Sequence, residues 1–434
     1  MTMKSMLLGT VAVMGALGGA KAADLPMTRG EAVEYVKVCS AFGPGFFYIP
    51  GTDTCLKIGG EVRADYRVFG GRTPVYGDKS RGFSRDDNRS AFNSEGRIWF
   101  DARTETGWGL LRSYFQVNAT TRPIYFQGRG ANYTINYFAI DKAFIQFGGL
   151  MAGYAHSFFG FYDNEYGSTI WAPYYAQSST VNLLAYTAQF GGGLSATVAV
   201  EDGRDHRTGI YSITTIPRTQ GGQQLPDLVG QVRLDQGWGS LAAQAALHQY
   251  RTNEAYGAPR ESKWGYAVGG TALIKIPAIA NGHLIVEGQY ADGALQYLGD
   301  SSSFFWGGRD GFRSRNGRFE SAKGWSVVAE LGGNLMPDLN ANLVGSYLDT
   351  RYDKFFAGGP AADADYGLKE FMLAGNLTYT IVKGLTLSGE VAYTRVQQDN
   401  VVAVPPGSSP DEAIGYKGDR ANVWQTGIRI KRTF

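Results

Sequence analysis

The sequence predicts an all-β protein, a transmembrane antiparallel β-barrel of sixteen strands, on three observations. Strands with alternating polarity recur along the chain and are longer than a soluble sheet needs. The connections between them alternate short and long. The N-terminus reads as an export signal, yet no later stretch approaches the 18 consecutive apolar residues of a membrane helix. A chain placed in a membrane must then cross it with strands, closed into a barrel so that no edge is left unpaired.

Taken in order, Met-Thr-Met-Lys-Ser opens the chain, an apolar run covers residues 6–20, and small residues stand at Ala20 and Ala22. This predicts a secretory signal peptide over 1–22. Residues 23–54 follow as a periplasmic-side segment, and the barrel is expected over 55–434. Of 41 basic residues, two lysines fall in 1–22, which leaves 39 against 39 acidic residues. That balance gives no reason to expect a nucleic-acid partner. The two cysteines, Cys39 and Cys55, sit in a chain bound for an oxidising compartment and are expected to form a disulfide just before the first strand.

The first strand carries the plainest pattern. Leu56, Ile58, Gly60, Val62, Ala64, Tyr66 and Val68 fall on one face, and Lys57, Gly59, Glu61, Arg63, Asp65 and Arg67 on the other. Lipid on one side and water on the other explain both the alternation and its length. The same grammar places strands near 55–68, 95–106, 110–119, 137–148, 150–156, 181–191, 193–201, 227–235, 239–250, 263–275, 282–291, 323–333, 339–351, 367–381, 384–396 and 421–434. Short connections (Gly107-Trp108-Gly109, Gly148-Gly149, Gly191-Gly192, Gln236-Gly237-Trp238, Val382-Lys383) alternate with long ones (120–136, 157–180, 202–226, 292–322, 397–420). Elaboration at one end only suits short periplasmic turns and long external loops. Gly109, Gly149, Gly193 and Gly384 each precede a Leu, which predicts positive φ at the start of a strand. Trp108 and Trp238 suit an interfacial aromatic belt. Phe434, a terminal aromatic on an alternating strand, is expected to serve as the assembly signal.

Residues 32–39 (Ala-Val-Glu-Tyr-Val-Lys-Val-Cys) and 45–56 (Gly-Phe-Phe-Tyr-Ile-Pro-Gly-Thr-Asp-Thr-Cys-Leu) resemble the N-terminus of the alphaproteobacterial porins typified by the Brucella and Rhizobium major porins. Residues 226–230 with 237–240, residues 382–386, and the Arg432-Thr433-Phe434 end are similar to later parts of that family. The resemblance spans nearly the whole mature chain. It implies a homotrimeric porin of the Gram-negative outer membrane, a passive water-filled channel for small hydrophilic solutes and ions. Its third external loop would fold into the lumen and narrow it. The alternative is a channel specific for a sugar or oligosaccharide, with Tyr114 and Trp99 as elements of an aromatic track.

By position, residues 157–180 are the third loop and offer Asp163 and Glu165 as acids. Arg63, Arg97, Arg103 and Arg112 would face them from the early strands, with Lys57 nearer the periplasm, and so set a transverse field. The same charges could instead pair across strands. Four arginines in 309–318 invite contact with lipopolysaccharide phosphates, or form a solvated loop. His156, His206, His248 and His283 show no metal-ligand spacing. No nucleophile elbow or phosphate loop appears, so neither catalysis nor a cofactor is expected.

Overall fold

The computed structural model describes residues 37–72, 89–123, 134–162, 167–208, 210–212, 221–253, 260–299, 309–313, 319–352, 366–399, 401–403, 414–416 and 419–434. The expected signal peptide lies outside the described residues. The main sheet has 17 strands. Sixteen of them form the barrel wall. These are β1 (Cys55–Arg72), β2 (Ser90–Thr106), β3 (Gly109–Pro123), β4 (Thr134–Phe147), β5 (Leu150–His156), β6 (Thr180–Gly191), β7 (Leu194–Glu201) and β8 (Asp227–Gln236). The second half comprises β9 (Gly239–Arg251), β10 (Ser262–Lys275), β11 (Ala280–Asp292), β12 (Lys323–Met336), β13 (Leu339–Tyr352), β14 (Tyr366–Val382), β15 (Leu385–Asp399) and β16 (Asp419–Thr433). Each pairs antiparallel with the next, and β16 pairs back onto β1 from Thr433 opposite Glu61 to Asn422 opposite Arg72. The wall therefore closes into a barrel.

Every predicted segment coincides with one strand. The largest difference is at β2, which starts at Ser90 rather than 95 because its pairing with β1 runs to Val68 opposite Ser90. At β3–β4 the register shifts between Gln116 and Val117, where Asp141 is the extra residue. This bulge breaks the alternation. Positive φ falls on Gly109, Gly193 and Gly384 as expected, but in the 148–149 turn on Gly148 rather than Gly149.

The outer face of the wall is apolar and exposed, while carboxylates are buried inside beside an inward apolar cluster that includes Ile285, Val328, Val344 and Leu348. Val62, Leu184, Val198, Leu343, Val391 and Ile428 are all more than half exposed, whereas Glu287, Glu330, Glu370 and Glu390 are buried. Apolar residues point outward on every strand because the outer solvent is hydrocarbon. Trp108 and Trp238 stand exposed in short turns at one end. Phe434 remains in the ladder, exchanging backbone hydrogen bonds of 3.0 and 3.1 Å with Gly60.

Smaller elements sit beyond the barrel wall, among them a pair of short strands, Val401–Ala403 and Ile414–Tyr416. At the short-turn end, Phe47–Tyr48, the seventeenth strand, pairs with β1. At the long-loop end, Ile210–Ser212, Gly311–Arg313 and Phe319–Ser321 form a small sheet, and a buried 3₁₀ turn spans Leu295–Leu298.

Candidate functional site

The inward faces of β1, β2 and β3 carry the basic residues singled out from the sequence, beside the inward face of β16. Arg63 lies 2.8 Å from Glu95 and 3.8 Å from Glu61. Arg97 contacts Glu95 and lies 3.5 Å from Glu61. Toward the short-turn end Arg103 and Arg112 stand directly opposite one another. Like charges in that relation repel, and Asp101 resolves the conflict by bridging both. Arg103 donates to its two oxygens at 3.0 and 2.7 Å, and Arg112 at 2.9 and 3.0 Å. On β16, Arg429 forks onto Asp65 with two bonds of 2.7 Å. Lys57 has an aromatic neighbour instead, its ammonium 5.7 Å from the Phe46 ring centre. The structure thus brings Arg63 and Arg97 into one group, and Lys57, Arg103 and Arg112 into another. Asp163 and Glu165 lie outside the described residues. Part-exposed ion pairs contribute on the order of 1 kcal/mol or less to stability. Their larger effect is to fix where charge sits on the wall.

On the other strands, inward carboxylates are occupied by backbone. Residues 157–162 and 167–179 are hydrogen-bonded to inward side chains of β7, β8, β11, β12, β13, β14, β15 and β1. Glu390 on β15 accepts three consecutive N–H groups, from Ile170 (2.6 Å), Trp171 (2.8 Å) and Ala172 (2.8 Å). Glu287 on β11 accepts the Phe161 and Tyr162 N–H groups, both at 3.2 Å, and the Thr271 hydroxyl at 2.7 Å. Glu330 on β12 accepts the Tyr162 hydroxyl at 2.6 Å and the Ser168 N–H at 3.0 Å. Tyr175 donates its hydroxyl to Glu370 and its N–H to the Ser346 hydroxyl. Amide side chains serve the carbonyls: Gln231 donates to Phe158 O, Gln289 to Tyr175 O and Asn376 to Ser168 O. Gly160, at φ +86°, lies so close to the Glu287 carboxylate that any side chain would collide with it.

A loop stretch away from water must find partners for its amides. Here buried glutamates supply them. Trp171 links the two regions. Its indole N–H donates to Asp65 at 3.0 Å, and its rings lie 5.5 and 5.3 Å from the Arg67 and Arg429 guanidiniums.

The sequence reading assigned no role to Glu201, Glu287, Glu330, Glu370 or Glu390. The available signal was an acid flanked by apolar residues, as in Leu284-Ile285-Val286-Glu287 and Val327-Val328-Ala329-Glu330. Three histidines belong to the same polar packing. His206 meets Glu201 at 2.9 Å, His248 meets Asp227 at 2.8 Å, and His283 meets Glu330 at 3.0 Å. Glu201 also accepts the Phe158 N–H at 3.0 Å. Tyr297, from the buried 3₁₀ turn, stacks on His206 at 4.4 Å and donates to Asp227 at 2.8 Å. Among the described residues no group of three or more His, Cys, Asp or Glu has the arrangement of a metal site. Of the 309–318 arginines, Arg309 donates to the Thr208 carbonyl, and residues 314–318 lie outside the described residues.

Comparison with known proteins agrees with this architecture. Residues 24–426 match the model of the Porin subfamily. Porin Omp2b of Brucella suis biovar 1 (strain 1330) is 30% identical over 440 residues, with 100% of both chains covered. Porin Omp2b of Brucella neotomae is 36% identical over 250 residues, 57% of this chain and 66% of that protein. Among solved structures, the outer membrane channel DcaP of Acinetobacter baumannii aligns with a TM-score of 0.61 at 17% identity, covering 89% of this chain and 99% of that one. At that identity the likeness bears on the barrel fold alone. With a closed sixteen-strand wall, a lumen lined by charge and a family match along nearly its whole length, the chain belongs to the porin subfamily and is a channel of the Gram-negative outer membrane.

Proposed function

We propose that solutes cross this porin between the 157–179 segment and the basic wall of β1, β2, β3 and β16. The segment is the constriction, and the wall with Arg63 and Arg97 is its charged side. The observation that carries this reading is the row of loop amides bonded to inward glutamates on β7, β11, β12 and β15. A segment tied down there, and reaching β1 and β16 through Trp171, leaves the side of Arg63 and Arg97 for water. Small hydrophilic solutes diffuse through passively, without catalysis, and the field across the narrowest part orients and sorts them. Asp163 and Glu165 are proposed as the loop's acidic contribution to that field. The inferred assembly is a homotrimer in outer-membrane lipid and lipopolysaccharide, with residues 1–22 removed on export.

Conductance of the purified protein in a planar bilayer tests the passage itself, and reversal potential in a salt gradient tests the filter. Asp163→Asn with Glu165→Gln is expected to shift preference toward anions while assembly stays intact. An unchanged reversal potential would remove these two residues from the filter.

A further inference from the structure

The short-turn end of the barrel carries a feature that the constriction does not use. Cys55 opens β1 in the same inward register as Lys57 and Arg63. Its disulfide to Cys39, with a Cα–Cα distance of 6.0 Å, therefore ties the preceding hairpin to the inner face of the wall. The hairpin also occupies part of a strand edge. Phe47 and Tyr48 pair with Leu56 and Cys55, below the point where β16 ends against Gly60. Cys39 donates its N–H to Phe46 O at 3.0 Å and Tyr48 to Lys37 O at 2.8 Å. Cys39, Phe46 and Cys55 form a small buried core.

Phe46 meets two inward cations. The Arg103 guanidinium lies 4.9 Å from its ring centre and the Lys57 ammonium 5.7 Å, while Phe42 lies 5.9 Å from Arg103. Gly45, at φ +89°, permits this approach, since a side chain there would lie 3.3 Å from Lys57 Cε. Beside them Arg112 covers Tyr114 and Phe144 at 5.1 and 5.3 Å. Lys57, Arg103 and Arg112 outnumber Asp101 and the rim residue Glu105, so the cluster keeps a net positive charge. Among the described residues Lys57 has no ion-pair partner within 4 Å. Stacking on aromatic faces restrains these flexible cations without neutralising them.

We propose that the disulfide-closed hairpin is a second charge filter, at the periplasmic mouth and in series with the constriction. Lys57 and Arg103 are its specificity-determining residues, and Phe46 positions them. Small anions leaving or entering the lumen meet fixed positive charge there. The proposal rests on the reading that the basic wall lines the passage, and the test separates the two.

The measurement is the chloride-to-potassium permeability ratio of single channels in a planar bilayer under a KCl gradient. For Lys57→Gln with Arg103→Gln the ratio is expected to fall about two- to four-fold, as for unit charges several ångströms from an ion path at physiological salt. Phe46→Ala should lower it by a smaller factor, and Phe46→Tyr should restore it, which a merely structural role would not do. An unchanged ratio in the double variant overturns the filter. An unchanged ratio in Phe46→Ala overturns the hairpin's part in it. Should the double variant fail to insert, Lys57→Gln alone decides, since it strands no acidic partner. Arg63→Gln with Arg97→Gln is the reference. If it shifts the ratio and the Lys57/Arg103 variant does not, only the periplasmic filter falls. If neither does, the pore reading falls with it.

Discussion

Glu287, Glu330, Glu370 and Glu390 on β11, β12, β14 and β15 are 0, 1, 0 and 2% exposed. Arg63, Arg97, Arg103 and Arg112 on β1, β2 and β3 keep 19, 28, 25 and 22% of their side-chain surface accessible. Both regions belong to one wall, built by one alternation, and both point charge inward. They differ in what covers the charge. On the glutamate side a loop is laid against the wall, and its backbone amides and tyrosine hydroxyls take up the carboxylates. On the arginine side the cations meet carboxylates of their own or the neighbouring strand and remain accessible. Glutamate suits the first task because a carboxylate accepts several N–H groups at once. Arginine suits the second, since it stays charged and can fork onto an acid while keeping donors free. The lesson is that lumen charge in this barrel divides into structural and electrostatic kinds, and exposure separates them.

The largest effect is expected where the structural kind is removed. Glu390→Leu strands the amides of Ile170, Trp171 and Ala172, at about 1–3 kcal/mol for each buried N–H left without an acceptor. Conductance steps should become larger and noisier as the segment loosens, and Glu390→Gln should lie between the variant and the wild type. If single-channel records of Glu390→Leu match the wild type, the glutamate side does not hold the loop and the comparison breaks.

Next comes the contrast between the two faces of one strand. Val62→Arg puts a charge against lipid, at about 2–4 kcal/mol near the midplane, whereas Glu61→Arg changes only the lumen lining. Gel mobility before and after heating, with denaturant midpoints, should single out Val62→Arg. Equal damage from both would mean that the faces are not what the exposure pattern indicates.

The smallest effect belongs to the electrostatic kind. Arg63→Gln with Arg97→Gln should leave folding intact and lower the anion-to-cation permeability ratio, by about two-fold per charge at physiological salt and less as salt rises. A stability loss as large as that of Glu390→Leu would move these arginines into the structural class.

How far the sequence reaches is visible in Glu61 and Glu390. Both are acids on the polar face of an alternating strand, and in the sequence they look alike. One lies near Arg63, Arg97 and Lys431 on the open wall, whereas the other holds a loop 219 positions away at Trp171. The alternation that puts each on the inner face is local and periodic, so it is legible. The loop contact joins residues far apart in the chain, and no local pattern encodes it. The arginines were found for the same reason that Glu390's role was missed. Their face is given by parity, but their partners depend on neighbouring-strand register, as when Asp101 bridges the opposed Arg103 and Arg112.

By itself the sequence determined the number and order of the strands, which face of each meets lipid, which end carries the short turns, and that Cys39 and Cys55 would join. The first three follow from patterns within a few residues, the period of two and the turn glycines, and the last from there being two cysteines, 16 positions apart, in an oxidising compartment. Only the tertiary structure decided that Cys55 faces inward with a hairpin drawn under Lys57 and Arg103, and that five glutamates anchor loop atoms while the arginines stay accessible. Those outcomes depend on closure of the wall. Closure brings β16 against β1 and a loop from between β5 and β6 against β15, distances in sequence over which side-chain periodicity carries no information.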